Sequence, residues 1–191
     1  MPKFVVAVLT IALLSPSIQS QNTSSKVAPH SANQSSVPAA SMPSNEEIGD
    51  LLSKASEYVD TYRQTFASAR PSLTKAPTPG FYEKAIELSK QATSVIAAIR
   101  KNGPSAYALV GLVAILDDMS LHATRAYAVT MVSTLGESRS DFKSQGMQDI
   151  QSLAQAAKNC EDISELLLHA TLRLIAVEEQ TLRELSGQQQ H

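Results

Sequence analysis

The sequence predicts an all-α protein: an antiparallel four-helix bundle with long third and fourth helices, preceded by a signal peptide and a disordered linker. From Ser44 onward, apolar residues recur at three- and four-residue steps, which is the period of an amphipathic helix. No stretch alternates apolar and polar residues as a half-buried strand does. Gly and Pro residues divide this region into four segments with short loops between them, and such segments pack best as antiparallel neighbours.

Residues 1–20 have the three parts of a signal peptide. Lys3 makes the amino terminus positive, an apolar run extends to Leu14, and small residues lead to a cleavage position after Ser20. A membrane anchor is the weaker alternative, because about eleven apolar residues cover only half of a bilayer core. We therefore expect a secreted or periplasmic protein that keeps no stable transmembrane segment after cleavage.

Residues 21–44 consist mainly of Ser, Asn, Gln, Pro and Ala, with one lysine and no aromatic residue. Such a segment cannot bury enough apolar surface to offset the entropy lost on ordering. It is predicted to be a disordered linker. The helical bundle domain is expected at 45–186, and a frayed polar tail at 187–191.

Local signals give the ends of the first two helices. Ser44 and Glu47 have the spacing of a capping box, so the first helix is predicted to begin there and to end at Pro71. Thr78 is the predicted N-cap of the second helix, with the proline that follows it in the first helical position. Gly103 suits the left-handed conformation that ends a helix, and the proline after it can begin the third helix.

The third helix is predicted at about 104–135 and contains the run YALVGLVAIL, which is apolar on nearly every side. This pattern predicts the most buried of the four helices. Two aspartates end the run, so it is expected to be too short to span a membrane. The fourth helix is predicted from about 140 to 185 after a corner at Gly136, and Gly146 leaves its continuity open.

Two carboxylate–histidine pairs are the candidates for chemistry: Asp118 with His122, and Glu165 with His169. Residues four apart share one helix face, so each pair could hold a proton or a metal ion. However, His169 lies opposite the apolar arc of its helix, and a turn at Gly136 puts the two histidines out of step. The sequence therefore predicts two separate surface pairs and no metal site, with a four-ligand metal centre as the alternative.

The third helix also has a mixed surface across from its core-facing residues. Asp118, His122 and Arg125 lie there among apolar residues, which are Val110, Ala114, Leu121 and Val132. An apolar strip with a few polar groups is typical of an interaction patch. It predicts a homodimer or an exported protein partner, or else a fold that wraps the helix centrally.

The remaining features exclude several functions. A net charge of −2 and a pI near 6.1 give no sign of a nucleic-acid surface. Cys160 is the only cysteine, so no internal disulfide can form, and its place on the apolar arc predicts a buried, unreactive thiol. There is no nucleophile elbow and no phosphate-binding glycine loop, so we predict no catalytic residues and no cofactor.

The sequence thus predicts an exported helical-bundle binding or interaction module without catalytic activity. The alternative is a metal-binding or metal-dependent protein that uses the acid–histidine pairs of the third and fourth helices.

Overall fold

A computed structural model describes residues 41–74 and 80–188 of the chain. This part contains no strand and forms four helices, which confirms the all-α prediction. The helices are α1 (Asn45–Leu73), α2 (Phe81–Asn102), α3 (Ala106–Leu135) and α4 (Ser140–Gln188). The predicted signal peptide, the linker up to residue 40 and the last three residues of the tail lie outside the described residues.

The start of α1 agrees with the sequence, but its end does not. The Ser44 hydroxyl accepts a hydrogen bond from the Glu47 backbone N–H at 3.0 Å, as expected for the N-cap. Pro71 was predicted to end the helix, yet it lies inside the last turn and α1 continues to Leu73. The reason is tertiary: Leu73 is buried in the core, and the Ser72 hydroxyl donates to a carboxylate of α4.

The starts of α2 and α3 lie two residues later than predicted, and their ends agree with the prediction. The N-cap of α2 is Gly80, with φ of +101° and no side-chain cap, whereas the predicted cap Thr78 lies outside the described residues. Gly103 ends α2 with φ of +87°, the positive value expected of it. Pro104 does not begin α3, because Ser105 is the N-cap of this helix. The Ser105 hydroxyl accepts a hydrogen bond from the backbone N–H of Ala108 at 3.3 Å.

The fourth helix is continuous through Gly146. This glycine is buried, and a Cβ added to it would lie 2.2 Å from Oγ1 of Thr134 on α3. The glycine therefore allows close approach of the two helices beside their corner, and it is not a break.

The helices pack as a ring around one core. Each of α2 and α4 packs against both α1 and α3. The core contains side chains from all four helices, the largest being Tyr62, Phe66, Ile99, Leu109, Leu112, Leu116, Met119, Leu153, Ile163 and Leu167. A ring buries only one stripe of each helix. The expectation that the fold wraps the third helix centrally is therefore wrong. Nine of the 30 residues of α3 are buried, a share close to that of α1, with eight of 29.

Hydrogen bonds between helices join the early part of one to the late part of its neighbour. At one end Arg173 of α4 pairs with Glu47 of α1, and at the other Ser72 of α1 donates to Asp149 of α4. Towards α3, the Ser164 hydroxyl of α4 bonds to the first half of that helix. These contacts align α4 with both α1 and α3 along most of their length.

Candidate interaction surface

One side of α3 faces solvent along the whole helix. Of the residues predicted to form a patch, six lie on this side: Val110, Ala114, Asp118, Leu121, Arg125 and Val132. At 100° per residue, they fall within about 80° of one another around the helix axis. The exposed fractions of Val110, Leu121 and Val132 are 46%, 49% and 73%, which are high for aliphatic side chains. We call this side the α3 face.

The apolar surface is larger than the sequence analysis predicted. Tyr107 and Leu135, at the two ends of α3, are 92% and 71% exposed. Both continue the period of the α3 face, and that spacing is the signal by which they could have been found. On α4, the Ser164 hydroxyl donates to the Val113 carbonyl near the amino-terminal end of α3. The exposed Leu168 follows Ser164 by one helical turn, so Leu168 lies beside the amino-terminal end of the α3 face.

The seventh predicted patch residue, His122, is not part of this surface. Its side chain is half-buried, and its ring is stacked on Phe66 with centroids 5.1 Å apart and lies 5.3 Å from the Phe81 ring. Nε2 is 2.9 Å from the Phe81 carbonyl oxygen, and because a carbonyl only accepts, Nε2 carries the proton. Among the described residues His122 makes no ion pair with Asp118, so the predicted first pair is wrong.

The surroundings of His122 favour the neutral form of its imidazole. Burial lowers the pKa of His122 from its ordinary value, because the charged form would lose hydration. The hydrogen bond to Phe81 acts in the opposite direction, and the positive charges of Lys84 and Arg125 lower the pKa further. A neutral ring with an engaged Nε2 serves as a structural link between α1, α2 and α3.

The second pair, Glu165 and His169, lies on the exposed side of α4. Its nearest N and O atoms are 3.8 Å apart, and both side chains are 70% exposed. An exposed pair of this kind contributes little to stability. In the described part of the chain, no three His, Cys, Asp or Glu side chains are grouped so that they could hold a metal ion. The structure therefore does not bring the two histidines together into one site.

Three further polar side chains lie in the interior, and none of them is set up for chemistry. Burial raises the pKa of the Cys160 thiol to about 12, and it also raises the pKa of the neighbouring Tyr62 hydroxyl. Neither group is therefore ionised near neutral pH. The carboxylate of Asp149 is buried and accepts hydrogen bonds from Ser72 and from Gln145, so it is satisfied within the fold.

A half-open cavity of about 220 Å³ lies where the end of α1 meets the corner between α3 and α4. Its lining includes Ser72, Thr134 and Phe142. The charged residues that line this cavity are Glu137 and Asp141, and no histidine, cysteine or lysine is among them. The Glu137 carboxylate accepts hydrogen bonds from the backbone N–H groups of Ser138 and Arg139, so it stabilises the corner between α3 and α4.

Within the described residues, α3 is long and apolar enough to cross a membrane, with a mean hydropathy of 1.4 over its most apolar 18 residues. The expectation that this run is too short is wrong by that criterion. Core helices of soluble proteins meet the same criterion, and a third of this window is buried against the other helices. Length and composition alone are weak evidence for a membrane span.

Packing within the domain leaves the exposed apolar residues of the α3 face unexplained. No protein-family model matches the chain, and no curated protein and no solved structure matches it.

Proposed function

We propose that the chain is an exported, antiparallel four-helix bundle that acts as a binding or interaction module without catalytic activity. The contacts of α4 with both ends of α1 and with the first half of α3 support the antiparallel arrangement. The signal-like residues 1–20 support export to the periplasm or the extracellular space.

The observation that carries the proposal is the exposed α3 face. Burying a Val or Leu side chain fully is worth about 1.5–3 kcal/mol relative to leaving it in water, so an uncovered row of them is a source of binding energy. Soluble monomers rarely expose contiguous apolar patches larger than a few hundred Å². The charged residues Asp118 and Arg125 interrupt the row and can provide specificity to the contact.

The geometry of the other groups favours binding over a metal-dependent activity. His122 bonds to the Phe81 carbonyl and packs against the rings of Phe66 and Phe81. His169 lies on the solvent side of another helix. Neither acid–histidine pair is completed by a third ligand group within the described residues. Metal analysis of protein purified without an affinity tag tests this point, and stoichiometric zinc or iron would favour the metal-dependent alternative.

Site-specific photo-crosslinking in producing cells tests the interaction surface. A photoreactive residue placed at Leu121 on the α3 face should form a defined adduct, because that position would contact the partner. The same residue at Ala98, an exposed position on α2, is the control and should form none. Absence of any adduct from Leu121, or equal adducts from both positions, would contradict the proposal.

Export has its own test. The intact mass of the protein recovered from the periplasm or the medium should correspond to a chain that begins near Gln21. A cell-associated chain that retains Met1 to Ser20 would refute export but would leave the α3 face as an interaction surface.

A further inference from the structure

We propose that the partner of the α3 face is a second copy of this chain, bound with the two α3 helices antiparallel across a two-fold axis. This inference rests on the proposed interaction surface and names its occupant. Its central feature is a pair of symmetric contacts between Asp118 of one copy and Arg125 of the other.

The first argument is the spacing of the exposed residues. One series of positions seven residues apart is exposed along the whole of α3, and it consists of Tyr107, Ala114, Leu121, Ala128 and Leu135. A seven-residue repeat keeps the same side of a helix toward a partner helix over many turns. The neighbouring helices α2 and α4 pack on the core-facing side of α3, so they do not account for this repeat. A second helix of similar length could therefore lie along this face over its whole length.

The second argument is the charge at the intervening positions. Gly111, Asp118, Arg125 and Val132 form a second seven-residue series beside the first. Neither Asp118 nor Arg125 makes an ion pair in the described part of the chain. They are seven residues apart, about 10 Å along the same helix, which is too far for a direct pair. Their charges are therefore available to a partner.

A second copy satisfies both charges in one orientation only. Parallel α3 helices in register would place Asp118 against Asp118 and Arg125 against Arg125, and such like-charge contacts disfavour binding. In an antiparallel pair with the two-fold axis beside Leu121, Asp118 of each copy lies opposite Arg125 of the other. The same axis places the small Gly111 opposite the larger Val132. Polar groups at such positions commonly determine the register and orientation of paired helices.

The exposed apolar residues extend along the whole of α3 and onto α4. α3 has 30 residues and is about 45 Å long. A stable interface needs about 800 Å² from each partner, more than a narrow strip provides. At one end the strip is widened by further exposed apolar residues, which are Val110 on α3 and Leu168 and Leu172 on α4. The two-fold axis places the same residues of the second copy at the opposite end of the interface. A bilayer surface suits the face less well, because Asp118 and Arg125 lie near its middle.

Sedimentation velocity of the purified chain over about 1–100 µM tests the pairing. The wild type should be a dimer, and Leu121→Asp should be a monomer, because it places a carboxylate beside the axis in both copies. Leu182→Asp is the matched control, since this exposed leucine lies on α4 beyond the span of α3, and it should remain dimeric. Far-UV circular dichroism of both variants shows whether each still folds.

A charge exchange tests the orientation with variants that keep the exposed surface polar. Asp118→Arg and Arg125→Asp should each raise the dissociation constant of the dimer by about tenfold or more, because each creates two like-charge contacts. The double variant should restore the wild-type constant. This rescue is expected only if the two residues meet across the interface.

Three results would overturn the inference. A wild type that is monomeric at 100 µM excludes the second copy as the partner, whatever the result of crosslinking. Single charge variants that dimerise like the wild type, or a double variant that does not recover, exclude the antiparallel arrangement. A monomer that sediments with phosphatidylcholine vesicles, and loses this property on Leu121→Asp, would assign the face to a membrane surface.

Discussion

The imidazole of His122 shows how a polar side chain becomes part of the edge of a core. It stacks on Phe66, contacts Phe81 and donates Nε2–H to the carbonyl of that residue at the first turn of α2. His169 has the same sequence context, a carboxylate four residues before it, but it lies in solvent. The two histidines therefore differ in what they contribute to stability.

The first prediction compares the two histidines. His122→Ala should lower the free energy of unfolding by about 1–3 kcal/mol, because it removes a hydrogen bond and two ring contacts. His169→Ala should change it by no more than about 0.5 kcal/mol, as exposed substitutions usually do. Urea unfolding at pH 7 measures both. Equal effects of the two substitutions would contradict this structural role of His122.

The second prediction concerns pH. The pKa of His122 is lowered in the folded protein from the ordinary 6.5. Between that lowered pKa and 6.5 the unfolded chain binds more protons, so stability increases with pH through this range and decreases on acidification. The sign is opposite to the one expected for a charged His122 paired with Asp118, whose contribution would fade as pH rises.

Urea unfolding at pH 7, 6 and 5 checks this sign. The wild type should lose stability relative to His122→Gln as the pH falls, because glutamine does not titrate. Carboxylates titrate in both proteins, so their effects on stability largely cancel when the wild type is compared with the variant. A wild type that instead gained stability relative to the variant on acidification would show that the charged imidazole is favoured in the fold.

At the scale of elements, the helix pair α3–α4 depends on a glycine at its corner. An alanine in the middle of a helix is normally more stable than glycine by about 1 kcal/mol. At Gly146 this preference is reversed by Thr134, because its Oγ1 and Cγ2 would lie 2.2 and 2.9 Å from the new methyl group. Thr134 is buried and branched at Cβ, so it has little freedom to turn away.

The third prediction follows from this contact. Gly146→Ala should destabilise the domain by about 1–3 kcal/mol, the usual cost of overpacking. Gly49→Ala is the control, since nothing lies within 4 Å of its added Cβ, and it should be neutral or stabilise by up to about 1 kcal/mol. Thermal unfolding measures both changes.

A double variant provides the matching test of cause. Thr134→Ala removes the atoms nearest to the new methyl group, so in its background Gly146→Ala should cost less than it does alone. If the two free-energy changes are simply additive, the close approach of these residues is not the reason for the glycine.

At the scale of the whole molecule, the core of all four helices shields one thiol. Cys160 has no exposed surface, and its pKa is raised to about 12 by burial. A thiol in this position reacts only when the helices separate, because the thiolate is the reactive form and the reagent must reach it. The single cysteine is therefore a natural probe of unfolding.

The fourth prediction uses this probe. At pH 8, a thiol-specific reagent should label native protein at least about a thousandfold more slowly than protein in denaturant, because only a small unfolded fraction reacts. In denaturant one thiol per chain should react. Rapid labelling of the native protein would show that α4 opens locally around Cys160 without global unfolding.

Much of the fold could be predicted because its signals are local. The helical period, the Ser44 cap and the positive φ of Gly103 depend on residues within one or two turns, so they are visible in the sequence. The exposure of Val110, Leu121 and Val132 was predictable for the same reason, since a helical wheel uses only the period of one helix. Their role in binding stays a prediction.

The sequence alone determined that residues 41–74 and 80–188 contain four helices, where α1 begins and α2 ends, and which side of α3 is uncovered. Only the tertiary structure decided that α1 passes through Pro71, that Gly146 lies against Thr134 and that His122 packs between aromatic rings. The physical reason is that each of these outcomes depends on a contact with a residue far along the chain. Local patterns contain no information on which distant side chain fills that space.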